Sequence, residues 1–130
     1  AGGASIGVAM HGLSQKRSIN PFLTQSISFA FPFTRKLIVT APSHAFIFFP
    51  GGLGTLHHLF EILTLIQTGK MPPRPIILFD RMFWQPMHDY IKRVFAHGVG
   101  TINPLDDEMY HVVDDVKGIQ KILSQDHASL

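Results

Sequence analysis

Four short runs along the chain are almost wholly apolar: SIGVAM (5–10), AFIFFP (45–50), RPIILFD (74–80) and MYHVVD (109–114). Runs of this length, without the polar alternation of a half-solvated strand, predict strands of a mainly parallel sheet with helices over both faces. Between and after them the apolar residues recur at helical spacings. The clearest segment is 55–68, where Leu56, Leu59, Phe60, Ile62, Leu63, Leu65 and Ile66 cover most of a helix. His57, Glu61, Thr64 and Thr68 leave it one narrow polar stripe. Such a helix needs cover on two sides, which a sheet and a second subunit would provide. A second helix is predicted over 83–96, with Trp84, Met87, Ile91, Val94 and Phe95 inward and Gly98 as its stop. A third is predicted over 115–123. The stretch 34–42 reads as helix ending near Ala41, because Pro42 disfavours helical backbone at the residue before it.

Two stretches are harder to place. Phe29, Phe31 and Phe33 alternate, which predicts a short strand or an extended lead-in, although Pro32 argues against a central strand. Residues 11–28 read as a loop. The alternation of strand, turn and helix predicts an open α/β sheet, in which ligands bind beyond the carboxyl ends of the strands. The strand over 5–10 starts almost at the first residue, so the sheet is expected to be incomplete on its N-terminal side.

Composition narrows this picture. A chain of 130 residues, 45% hydrophobic and 15% charged, fits one globular domain spanning 1–130. The net charge of +2 is spread along the chain, with no basic run of the kind that binds nucleic acid or a membrane surface. There is no cysteine, so neither a disulfide framework nor a thiolate metal site is available, which suits the cytoplasm. No apolar stretch is long enough to span a membrane, and the first ten residues do not read as a secretory signal.

The chemistry concentrates in PGGLGT (50–55), where the second apolar run gives way to the best helix. Gly51, Gly52 and Gly54 allow positive φ and close approach of a ligand to the backbone. The amides that open the helix favour an anion, and Thr55 is placed to cap the helix or to donate to a phosphate oxygen. His57 and His58 follow at once, with Glu61 one turn on from both. In a helix's first turn the dipole opposes an imidazolium, whereas a bound phosphate favours one. His57 and Glu61 make only two metal ligands, and no metal site is expected.

These residues carry a family resemblance. Arg35 and Lys36, followed by SHAFIFFPGGLGTLHHLFEILTLIQTGK (43–70), resemble the LONELY GUY family, long labelled lysine decarboxylases. That family's signature is an Arg-Lys pair and then Pro-Gly-Gly-x-Gly-Thr-x-x-Glu. The similarity continues through PIILFDRMFWQPM and back to GGASIGVAM. The resemblance implies a Rossmann-like fold, dimeric or higher. It also implies hydrolysis of the N-glycosidic bond of a nucleoside 5′-monophosphate, a cytokinin nucleotide or AMP, without a cofactor. Arg35 falls on the family's catalytic arginine, with Lys36 beside it, and Gly51, Gly52, Gly54 and Thr55 fall on its phosphate-binding turn. The signature Glu falls on His58, and the neighbouring position, commonly acidic in relatives, on His57. Relatives also carry a strand, a Gly-rich loop and a helix before the part that matches residues 1–8, so this chain is read as the C-terminal portion of the domain.

The histidines bear on activity. Breaking a ribosyl N–C bond develops positive charge on the sugar, which a carboxylate can stabilise and a neutral imidazole cannot. His58, with Glu61, would have to manage the water and the sugar, and weakened hydrolysis is expected. Two alternatives stand beside the hydrolase: a non-hydrolytic nucleotide or cofactor binder, akin to the molybdenum-cofactor carriers of the same fold, and a purely dimerising role for the apolar helix.

Overall fold

The computed structural model describes residues 2–10, 20–99, 102 and 108–127. They belong to two compact units, Ala1–Ser43 and His44–Leu130.

In the first unit, β1 (Ile6–Met10) and β2 (Gln25–Phe29) pair in parallel, Ile6 opposite Gln25 through Met10 opposite Phe29. The pair is tied at its start by Ser5 and Thr24. Ser5 N–H donates to Thr24 Oγ1 (2.9 Å), and Thr24 N–H donates back to Ser5 Oγ (3.1 Å). Of the loop expected over 11–28, residues 11–19 lie outside the described residues, and 25–28 are strand and not loop. Helix α1 (Pro32–Thr40) follows. Its proline takes the first helical position, where a missing N–H costs nothing, and Phe31 before it is extended, as the residue before a proline prefers. The phenylalanine alternation is therefore no strand: Phe29 closes β2, whereas Phe31 and Phe33 straddle the helix start. The helix stops before Pro42, as expected.

The second unit runs β3 (Phe46–Phe48), α2 (Leu53–Gln67), β4 (Ile76–Phe79), α3 (Arg81–Tyr90), β5 (His111–Val113) and α4 (Val116–His127). The three strands are parallel in the order β3-β4-β5, with Phe48 opposite Leu78 and Leu78 opposite Val112. All four apolar runs of the sequence are thus strands of parallel sheets flanked by helices, and the α/β class holds. They divide between a two-stranded and a three-stranded sheet.

The core of this unit is Phe46, Phe48, Leu59, Ile62, Ile76, Leu78, Trp84, Ile91 and Tyr110. The Trp84 ring is fully buried, and its Nε1–H donates to Phe79 O at 3.0 Å, so the indole adds no unsatisfied donor. Helix α2 ends at Gln67, and the φ of 68° at Gly69 lets Lys70 N–H turn back onto Leu65 O at 2.8 Å. Gly98 does not end the second helix. From Ile91 the α3 helix widens into a π-helical segment that continues through Gly98 to Val99. No described helix is long and apolar enough to cross a membrane.

Candidate functional site

The edge of the three-stranded sheet where its carboxyl ends lie carries three helix starts, and they are finished differently. At α4, Asp115 Oδ1 accepts from Gly118 N–H (2.7 Å). At α3 the protein supplies its own anions. Asp114 Oδ1 accepts from Arg81 N–H (2.8 Å), Asp80 Oδ1 from Phe83 N–H (3.2 Å), and Asp80 O from Trp84 N–H (3.1 Å). At α2 no side chain caps the helix. Gly52 is the capping residue, and its carbonyl accepts from Thr55 N–H (3.0 Å) and Leu56 N–H (3.1 Å). The N–H groups of Leu53 and Gly54 donate to nothing among the described residues. A Cβ added at Gly52 or Gly54 would meet no other described atom within 4 Å, so the side-chain positions beside these amides are open. Donors at the positive end of a helix that are unpaired among the described residues suit an external anion.

The glycines serve this turn in a way the sequence does not predict. None of the three has positive φ. Gly51 is required by packing: a Cβ there would stand 2.9 Å from Thr55 Cβ and closer still to its hydroxyl. Thr55 is not the cap, because the helix starts two residues earlier than expected and places it in the third helical position. Its half-buried side chain lies against Gly51, and its hydroxyl has no partner among the described residues.

The earlier start also moves the histidines. His57 and His58 are the fifth and sixth residues of α2, beyond the first turn where the dipole acts most strongly. His57 is exposed. His58 is half-buried, its ring meeting that of Phe48 edge-on at 5.9 Å and 81°. Glu61, also half-buried, follows one turn along. The structure therefore gathers Gly51, Gly52, Gly54, Thr55, His57 and His58 at the start of α2, with Glu61 at the middle of the helix. Arg35 and Lys36 stand together on α1 of the first unit, both half-buried. Among the described residues no group of three His, Cys, Asp or Glu could hold a metal ion.

A family model described as "Possible lysine decarboxylase" matches residues 1–123. The chain belongs to the LONELY GUY family. The cytokinin riboside 5′-monophosphate phosphoribohydrolase of Rhodococcoides fascians is 31% identical to it over 84 residues. That match covers 65% of this chain and 41% of the relative, so the chain spans less than half of the relative's length.

Sequence reasoning missed Asp80 and its surroundings. Asp80 was expected inside the strand over 74–80, yet it follows β4 as the cap of α3, with φ 86° and ψ 92°. A non-glycine residue in such a region costs on the order of 1–3 kcal/mol and is held there by its neighbours. Here Asp80 N–H donates to Val113 O (2.9 Å) while its carboxylate caps the helix. One signal was available: an aspartate directly between an apolar run and a helical pattern is a strong capping residue. The Arg81–Asp114 pair, 3.2 Å between Nε and Oδ2, joins residues 33 apart in sequence, and local pattern could not have found it.

Proposed function

We propose that the chain acts in a LONELY GUY-type phosphoribohydrolase, which cleaves the N-glycosidic bond of a nucleoside 5′-monophosphate to free base and ribose 5-phosphate. The observation that carries this reading is the start of α2, uncapped by any side chain, where the Leu53 and Gly54 N–H groups have no partner among the described residues. Family membership and the name of the R. fascians relative support the choice of a nucleotide as the anion. In this reading the 5′-phosphate sits on the Gly51–Thr55 turn, with Lys36 and His57 contributing to its binding. Arg35 fixes the substrate, and His58 and Glu61 act at the sugar and the water. The reaction needs no cofactor. Two copies pair through α2, whose Phe60 is 38% exposed. A cytoplasmic site of action completes the reading.

One observation favours a second reading. His58 brings no negative charge to the position of the signature Glu, and its ring is set against Phe48. A protein that holds the nucleotide without cleaving it would need no more than this. Incubation of the full chain with AMP, followed by chromatography for free adenine, separates the two. Adenine above the no-protein control supports the hydrolase. AMP binding by calorimetry without adenine release supports the holder.

A further inference from the structure

Asp80 lies at the carboxyl end of β4, two residues beyond Leu78, which pairs with Phe48 of β3. The rings of Phe49 and Phe79, one residue further along each chain, are 5.2 Å apart. Asp80 therefore follows β4 at the same sheet edge at which the glycine turn follows β3, the neighbouring strand. Asp80 is the only described non-glycine residue with positive φ, and this unusual backbone fixes where its carboxylate stands.

Asp80 and Asp114, two of the carboxylates on this edge, are in different situations. Both oxygens of Asp114 are engaged by Arg81, through its backbone N–H at 2.8 Å and its Nε–H at 3.2 Å. The other donors of Arg81 go to Val112 O and Gln85 Oε1. Asp80 is half-buried; its Oδ1 accepts from Phe83 N–H, and its Oδ2 accepts from nothing among the described residues. A carboxylate with one oxygen unengaged among the described residues thus stands at the same sheet edge as the turn, in a chain whose signature carboxylate is replaced by His58.

We propose that Asp80 is a catalytic carboxylate of this site, facing the ribose of a nucleotide whose phosphate rests on Leu53 and Gly54 N–H. This rests on the phosphoribohydrolase reading above. In the reaction the C1′–N bond breaks, and its electron pair leaves on the base, which takes up a proton. A water oxygen forms the new bond to C1′ and gives up a proton, so AMP and water become adenine and ribose 5-phosphate. Asp80 stabilises the positive charge that develops at C1′ between these events. The same negative charge lies near the phosphate dianion, so it weakens binding of the substrate while it favours the transition state.

Asp80→Asn tests this, because asparagine keeps an oxygen for Phe83 N–H and tolerates positive φ. Asp80→Gly, which accepts the backbone angle and also lacks the charge, is the second variant. With the full chain and AMP, both should bind AMP about two- to fivefold more tightly, as repulsion of the phosphate is lost. Both should lower kcat for adenine release about 100-fold. A merely structural Asp80 would not improve binding while slowing turnover. If the wild type releases adenine and either shift is missing from both variants, the inference is overturned and the hydrolase reading stands. If the wild type releases no adenine, the hydrolase reading falls, and the catalytic role of Asp80 falls with it.

Discussion

Replacing Gly54 by alanine should make the protein more stable and worse at binding a nucleotide, and this opposition follows from the geometry of the turn. Gly54 is the second residue of α2, its φ is not positive, and a Cβ built on it meets no atom within 4 Å. The folded chain alone therefore has no use for glycine there. Alanine in a helix is better than glycine by about 0.5–1 kcal/mol. For a chain of 130 residues this raises the melting midpoint by about 2–4 °C. If a phosphate lies against Leu53 and Gly54 N–H, the new methyl group intrudes on it. Losing one charge-assisted hydrogen bond costs about 1.5–3 kcal/mol, or about 10- to 150-fold in affinity. Differential scanning fluorimetry reads the first effect and calorimetry with AMP the second. Gly52→Ala, at a backbone conformation any residue adopts (φ −93°, ψ −159°), should lose affinity in the same way without losing stability. If both variants bind AMP as the wild type does, the glycines answer to no ligand and the reasoning fails.

Two further substitutions probe the same turn. Gly51→Ala should destabilise the fold by about 1–3 kcal/mol, since its methyl group overpacks against Thr55; a wild-type denaturation midpoint would contradict the packing role assigned to this glycine. His58→Glu restores a carboxylate at the signature position and should raise adenine release from AMP about tenfold or more; unchanged or lower turnover would count against a role for position 58 at the sugar.

The parts of the fold that were legible in the sequence are those set by apolar residues close together in the chain. Ile76, Ile77 and Leu78 are fully buried, and an uninterrupted run of such residues admits little but a central strand. Helix α2 was legible for the same reason, with Leu59 and Ile62 fully buried at its core. Strand β2 was not, because Gln25, Ser26, Ile27 and Ser28 are all exposed and carry no burial pattern to read. The start of α1 was hidden by the aromatic alternation around Pro32, where the preference of proline for the first helical position outweighed the period of two.

The site was half legible. A glycine-rich turn between an apolar strand and an apolar helix announces unpaired amides, and Leu53 and Gly54 present them. The division of labour among the glycines was not visible, because it depends on how the Thr55 side chain folds back over Gly51. Nor was the contrast with α3, whose cap draws on Asp114 from the far end of the next strand.

Titration of the 15N-labelled full chain with AMP, followed by 1H–15N correlation spectra, tests the seat of the phosphate most directly. The account predicts that the Leu53 and Gly54 amide signals move furthest and saturate together with the 31P signal of AMP. Saturable binding of AMP with these two signals unmoved, or no binding at all, would contradict it.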